Sequence, residues 1–427
     1  MSLEDYALVS PVLRWLYIDF NSYFASVEQQ LQPRLRHRPV AVVPVDSDST
    51  SVIAASYEAK AFGIKTGTPV YEARRLCPEI ICVLAHHEHY VAFHDRIKIE
   101  VDRHIPVTRV CSIDELACEL MDNETDVARA CEIARSIKAG LARNLGPYVR
   151  CSIGLAPSRY LAKIATDLHK PDGLTILGAH NLPTRLLDLP LQDFPGIGHN
   201  MERRLIAAGV TTTRILFSLS ATQMRKIWGG VWGERMWHFL RGVDLPDEEP
   251  VRRSLGHSHV LAPELRIPAR AKLIARRLTL KSASRLRRLN YYAAAFCLSV
   301  RIENGPRLHF ERHCSFAQDS FTFLALMNEV WAEMMQAARP RLIKKVSVTL
   351  YHLREAAQIQ PGLFDHLALD KTPARHKAER LSVAMDMINQ RFGRDSILVG
   401  MVAAQGKSFT GTKIAFTRIP DQQEFHE

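Results

Sequence analysis

Apolar residues run unbroken through Trp15-Leu16-Tyr17-Ile18 and stop at Asp19. Bulky strand formers closed by a charge predict a buried strand over Leu13 to Asp19. The period then changes: Tyr23, Phe24, Val27 and Leu31 recur at helical spacing behind Asn21 and Ser22, either of which suits an N-cap. Val40-Ala41-Val42-Val43 and Val52-Ile53-Ala54-Ala55 read as strands joined by the polar turn Asp46-Ser47-Asp48-Ser49-Thr50. Helices follow over Tyr57 to Phe62, stopped by Gly63, and over Pro69 to Leu76.

Tyr90 to Asp102 reads as a helix, Val110 to Leu120 as a strand pair, Asp126 to Leu145 as a longer helix and Val149 to Gly154 as a strand. Strand, helix, hairpin, helix, strand is the order of a ferredoxin-like antiparallel layer, so the predicted class is α+β. Ser158 to His169 gives a further helix containing Lys163, and Phe194-Pro195-Gly196-Ile197-Gly198 a glycine turn with helices expected on either side. An acidic linker, Pro246-Asp247-Glu248-Glu249-Pro250, precedes a region that alternates helices (Ala269 to Leu286, Phe321 to Ala338) with strands (Ala293 to Ile302, Lys345 to Leu350).

At 427 residues the chain exceeds one typical domain, and 47% apolar with 24% charged content is ordinary for a soluble protein. No apolar run is long enough to span a bilayer, and Met1 to Ser10 carries no basic-then-apolar leader, so a cytoplasmic protein is expected. Eight scattered cysteines without a C-x-x-C pair fit reduced thiols. His86, His87, His89 and His94 do not form an H-E-x-x-H helix, and no metal site is expected there. The net charge of +11 is unevenly placed: Val251 to Glu355 holds 19 Lys/Arg against 7 Asp/Glu, and the remainder is near neutral. Such a one-sided excess suits a face that tracks phosphates.

The candidate chemistry centres on Cys111-Ser112-Ile113-Asp114-Glu115-Leu116-Ala117-Cys118. Two adjacent carboxylates in an apolar run are costly to bury unless a cation neutralises them. On a regular strand they would face opposite sides, so a shared site requires the strand to end, turn or bulge there. Alone, the stretch could be an edge strand with solvated acids. With Asp19 it offers three hard oxygen donors, a set suited to one or two Mg²⁺ ions that also bind substrate phosphates.

The strings D-F-N-S-Y-F-A-S-V-E, S-Y-E-A-K-A-F-G-I-K-T-G, S-I-D-E and L-A-K-I-A-T-D-L-H-K-P-D-G occur in the order seen in Y-family translesion DNA polymerases, and the resemblance covers roughly residues 14 to 355. It implies a right-hand polymerase of several domains: a ferredoxin-like palm (1–24 and 86–178), small fingers (25–85), a helix-hairpin-helix thumb (179–245), the linker 246–250, an α+β little finger (251–355) along duplex DNA, and a tail (356–427). The implied catalytic residues are Asp19, Asp114 and Glu115, which with the Phe20 carbonyl hold two Mg²⁺. Phe24 takes the steric-gate position that excludes a ribose 2′-hydroxyl, and Tyr57, Lys60 and Lys163 meet the incoming dNTP. Pro195, Gly196 and Gly198 grip primer-template DNA through backbone amides.

The sequence departs from the commoner family pattern at Ala54, Lys60 and Ala61, where many members carry Thr, Arg and Lys, so fewer triphosphate contacts are implied. Gln360, Leu363 and Phe364, within Gln358 to Asp365, resemble a bacterial peptide that docks on a sliding clamp. The tail from Lys371 is similar to the extension of the SOS-mutagenesis branch, which adds SOS mutagenesis accessory proteins as partners. The expected activity is error-prone translesion synthesis without proofreading, since no separate acid set suggests a nuclease.

The alternative is a catalytically weak or inactive Y-family paralogue acting as a scaffold in a mutagenesis complex; loss of the acids would have supported it, and all three are present. A nucleotide cyclase on a similar palm would not need the basic region, the glycine turn or the clamp peptide. Gly406-Lys407-Ser408 does not complete a P-loop, because five residues rather than four separate Gly400 from Gly406.

Overall fold

The computed structural model describes residues 12–48, 50–246, 251–359, 372–393, 396–400 and 419–420. The chain divides into two compact units, residues 1–248 with 412–422 and residues 249–411 with 423–427.

In the first unit, strand β1 (Trp15–Phe20) runs into helix α1 (Tyr23–Leu31). A small lobe follows, made of β2 (Val40–Val43), β3 (Ala54–Ala55), α2 (Tyr57–Lys60), α3 (Val70–Leu76) and β4 (Ile81–Leu84), with β2 pairing antiparallel to β3 and parallel to β4. Helix α4 (His87–Asp102) leads to the hairpin β5 (Arg109–Ser112) and β6 (Glu115–Glu119), then α5 (Val127–Asn144), β7 (Cys151–Ala156), α6 (Arg159–Leu168) and β8 (Leu174–Ile176). The main sheet has the order β5-β6-β1-β7-β8. Its first four strands are antiparallel in the expected ferredoxin-like arrangement. Strand β8 pairs parallel with β7, so the sheet is mixed.

Alternation along β1 decides where chemistry can sit. Trp15 and Tyr17 join the core beneath α6, so Asp19 points to that same face. Helix α6 lies unusually close to β7, because a Cβ on Gly154 would stand 2.1 Å from Ala162 O, and only glycine permits the approach. Among the described residues this unit continues with α7 (His199–Ala207), α8 (Thr213–Ser218), α9 (Ala221–Trp228) and α10 (Val231–Leu240).

The second unit contains β9 (Ser254–Val260), α11 (Pro268–Arg288), β10 (Tyr291–Ile302), β11 (Arg307–Ala317), α12 (Ser320–Ala338), β12 (Ile343–Glu355) and α13 (Thr372–Phe392). Its sheet order is β11-β10-β12-β9. Phe296, Leu298 and Val300 of β10 and Val346, Val348 and Leu350 of β12 pack with α11 and α12, and among the described residues no helix covers the opposite face. Helix α13 packs on α12, where Ser320 N–H donates to Ser382 Oγ at 3.1 Å, and on α11, where Arg287 grips Asp386 with bonds of 2.6 and 2.9 Å. The tail from Lys371 therefore contributes a helix to this unit.

Several expectations change. Ser22 is the N-cap residue of α1, but it is left-handed (φ 49°) and its side chain makes no capping bond. Strand β3 is only two residues long, and β7 starts two residues later than its hydrophobic run suggests. Strands β4, β8, β9 and β11 were not legible: β8 is too short, and β9 and β11 expose alternate polar residues that mask the pattern. Among the described residues no helix is long and apolar enough to cross a membrane.

Candidate active site

Asp19 and Glu115 are direct partners across the antiparallel β1–β6 ladder, so their carboxylates share one face. Asp114 sits in the turn between β5 and β6, beside a register shift, so a turn and a bulge break the strand where the acidic pair required it. Phe20 N–H donates to Asp114 O at 2.9 Å, locking the turn to the end of β1. From α4, buried His94 holds the same turn through Nδ1, which donates to Ile113 O at 2.8 Å. Burial lowers the His94 pKa, keeping it a neutral donor.

The carboxylates differ in surroundings. Burial raises the Asp114 pKa; the 2.6 Å bond from Ser112 Oγ opposes the rise, and repulsion from Asp19 and Glu115 adds to it. Tyr17 OH donates to Glu115 Oε2 at 3.1 Å. Asp19 is only 7% exposed and meets two ammonium groups, Lys163 Nζ at Oδ2 and Lys170 Nζ at Oδ1, the latter at 2.8 Å. Lys163 Nζ also lies 2.8 Å from Glu115 Oε1 and 3.4 Å from Asp167 Oδ2. Burial would lower the pKa of both lysines, but attraction from Asp19 and the neighbouring carboxylates outweighs it and raises both.

Lys170 and Asp167 were missed by the sequence reading. Their signal was available, because Lys163, Asp167 and Lys170 are spaced i, i+4, i+7 along α6 and its end. Buried Asn21 and Ser152 place this segment. Asn21 Oδ1 accepts from Asp172 N–H at 2.8 Å, and Ser152 Oγ accepts from Gly173 N–H at 3.2 Å while donating to His169 O at 3.1 Å.

Ser56 caps α2, which carries Tyr57 and Lys60. Lys60 Nζ stands 4.4 Å from the Tyr57 ring centroid. Burial and then repulsion from Lys170 lower its pKa, so α2 presents its cation toward the same cluster. Phe24 lies on Tyr90 with ring centroids 4.2 Å apart and planes 11° from parallel. The Tyr90 hydroxyl is fixed by donating to buried Glu28 at 2.8 Å and accepting from His86 N–H at 3.1 Å. Glu28, His86 and His89 bring ligand atoms within 4.8 Å of one another, a convergence that the linear histidine spacing does not show. His87 and His94 stand outside it.

Gly196 is left-handed (φ +93°), Gly198 caps α7, and Phe194 and Ile197 are buried beneath the turn. Only a 3₁₀ turn, Leu191–Asp193, precedes it, not the expected helix. The paired helices are instead α9 and α10, joined at Gly229 (φ +74°) and Gly230, which sequence reasoning missed. In the second unit, Arg301 of β10 faces Arg307 of β11 on one side and Lys345 of β12 on the other, and all three are exposed. Like charges directly opposite are unfavourable without a counter-charge. Part of the basic excess is neutralised internally, since Arg287 pairs with Asp386 and Arg266 with Glu303. Gln360, Leu363 and Phe364 lie outside the described residues.

Three family models match: impB/mucB/samB family over residues 18–167, DNA polymerase-iota thumb domain over 192–244, and impB/mucB/samB family C-terminal domain over 252–363. The DNA polymerase IV of Moorella thermoacetica is 30% identical, covering 90% of this chain and 95% of that protein. The DNA polymerase IV 2 of Mesorhizobium japonicum is also 30% identical, covering 91% and 94%. The structure of a Y-family DNA polymerase chimera, Dbh-Dpo4(243-245)-Dbh, aligns with a TM-score of 0.68 at 23% identity, covering 80% of this chain and 99% of that one, a likeness of fold.

Proposed function

Because the chain belongs to the impB/mucB/samB family of Y-family DNA polymerases, we propose that it is a DNA-directed DNA polymerase that extends primers past damaged bases, error-prone and without proofreading. The observation that carries this reading is the cross-strand pairing of Asp19 with Glu115, with Asp114 in the adjoining turn. A primer 3′-hydroxyl would attack the α-phosphate of a dNTP and release pyrophosphate.

The donor set fits Mg²⁺: Asp19 and Glu115 share one face where lysine ammonium groups balance their charge, Asp114 lies in the adjoining turn close enough to be repelled by both, and the Phe20 carbonyl ends the strand that carries Asp19. Bound there, two Mg²⁺ ions would neutralise phosphate charge and favour ionisation of the attacking hydroxyl. The protein's own contribution is positioning. Lys163 and Lys170 stay protonated and stand beside Asp19, ready to offset charge that builds on the leaving phosphates. Tyr57 and Lys60 flank the same space. Ser22 Oγ is buried with no hydrogen-bond partner among the described residues, a group that a bound nucleotide could satisfy.

Phe24 acts as the stop against a 2′-hydroxyl, and its stacking on an anchored Tyr90 makes the stop rigid. Pro195, Gly196 and Gly198, with the first amides of α7, would hold a DNA phosphate without reading sequence. The Arg307–Arg301–Lys345 row suits a second phosphate contact in the little finger. Gln360, Leu363 and Phe364 would recruit the sliding clamp. Primer extension by purified protein on undamaged and abasic templates, with and without clamp, tests the reading. Extension across the abasic site supports it, and no extension on either template would favour the inactive scaffold.

A further inference from the structure

On the face of the second unit's sheet away from α11 and α12, side chains of β11 meet one from β12 in a set that the polymerase reaction does not use. His309, Glu311 and His313 alternate along β11, and strand geometry puts all three on the face away from Leu308, Phe310 and the helices. His352 reaches that face by a different route. Along β12 the core positions Val346, Val348 and Leu350 would carry residue 352 inward, but His352 is left-handed (φ +52°) and Leu353 packs against the core instead. A β-branched or bulky residue is strained in that conformation. The flip turns an imidazole outward.

Strands β11 and β12 are separated by β10, which presents only Ala294 and Ala295 at this level. These small side chains let the His313 and His352 rings meet, with centroids 5.5 Å apart and planes 25° from parallel. They border a 440 Å³ hollow lined also by Phe316, Leu353 and Arg354. Ligand atoms of Glu311, His313 and His352 all lie within 4.8 Å of one another.

We propose that Glu311, His313 and His352 form a surface site for a divalent transition-metal ion of the Zn²⁺ class. The spacing argues for it. His313 Nε2 is 3.6 Å from Glu311 Oε1, too long for a hydrogen bond. It is close to the separation of about 3.3 Å between two ligands of a tetrahedral ion with arms of about 2.0–2.1 Å. Two imidazoles and one carboxylate favour Zn²⁺, Co²⁺, Ni²⁺ or Cu²⁺ over Mg²⁺, so the site is chemically separate from the catalytic carboxylates. His313 and His352 are exposed and Glu311 is partly exposed, leaving a fourth position open to water or an outside donor. His309 Nε2 lies 3.9 Å from the other oxygen, Glu311 Oε2, where a small rotation would let it orient the carboxylate from behind.

The test uses full-length, metal-stripped protein titrated with Zn²⁺ and, separately, Co²⁺ in millimolar Mg²⁺. Wild type is compared with His313→Ala/His352→Asn, and a Glu28→Gln/His89→Ala protein controls for the other histidine cluster. Asn tolerates the left-handed backbone, so the first variant should melt like wild type without metal. It should lose one equivalent of bound Zn²⁺ and the visible Co²⁺ band of an imidazole-ligated ion, Glu311→Gln should bind at least tenfold more weakly, and the control should retain both signals. An unchanged stoichiometry and Co²⁺ spectrum in His313→Ala/His352→Asn would overturn the proposal, as would loss of the Co²⁺ band only in the control.

Discussion

Phe24 is stacked flat on Tyr90, and the Tyr90 hydroxyl is anchored to the buried Glu28 carboxylate. A ring so held can discriminate by contact alone. Phe24→Ala should raise ribonucleotide incorporation relative to deoxyribonucleotide by roughly tenfold to a hundredfold, the range typical of steric discrimination. Tyr90→Ala should relax selectivity partially and destabilise by about 3–5 kcal/mol, as loss of a buried aromatic does. Steady-state kinetics with paired dNTP and rNTP substrates check the first, and thermal melting the second. Unchanged sugar selectivity in Phe24→Ala would place the gate elsewhere.

Asp114→Asn or Glu115→Gln should reduce nucleotide addition by about a thousandfold or more, the scale of several kcal/mol of charge stabilisation, with DNA affinity largely preserved. Single-turnover extension and a gel-shift titration separate the two effects. Extension near the wild-type rate in the double variant would remove these residues from catalysis.

Lys163 stands between Asp19 and Glu115, where its charge opposes entry of any other cation. Lys163→Ala should therefore strengthen Mg²⁺ binding by DNA-free protein while slowing incorporation, because the same ammonium is lost to the phosphates. Calorimetric Mg²⁺ titration alongside single-turnover rates measures the opposed changes. Movement of both in the same direction would mean that the lysine only supports the fold.

The row Arg307–Arg301–Lys345 should contribute to duplex affinity in proportion to salt. Replacing all three by Ala should lower the slope of log K against log salt by about 2–3, since each phosphate no longer neutralised removes about 0.9. Relief of cross-strand repulsion should leave the free protein no less stable. An unaltered slope would make the row an ordinary solvated surface.

Leu363→Ala with Phe364→Ala should leave distributive synthesis on short primers unchanged and abolish stimulation by the sliding clamp, since a few apolar anchors carry most of the energy of such a peptide. Retained clamp binding in a pull-down, or a large drop in melting temperature, would assign the pair a structural role.

Much of this protein is fixed locally. The apolar run ending at Asp19, the helical spacing of Tyr23, Phe24, Val27 and Leu31, and the adjacent Asp114 and Glu115 mark strand, helix and acidic turn, because period and charge placement are properties of neighbouring residues. The adjacent acids even require the turn in which Asp114 sits. Tertiary structure decided what depends on packing between distant segments. Gly154 lets α6 approach β7, and that approach brings Lys163 over Asp19. Asn21 and Ser152 fix the segment that delivers Lys170, and Tyr90, distant in sequence, is the ring on which Phe24 stacks. The polar strands β9 and β11 exist because partners complete their ladders, and His352 meets His313 only because a left-handed residue reverses the alternation of β12. Contacts between residues far apart in the chain leave no periodic trace, so they emerge only when the sheet is assembled.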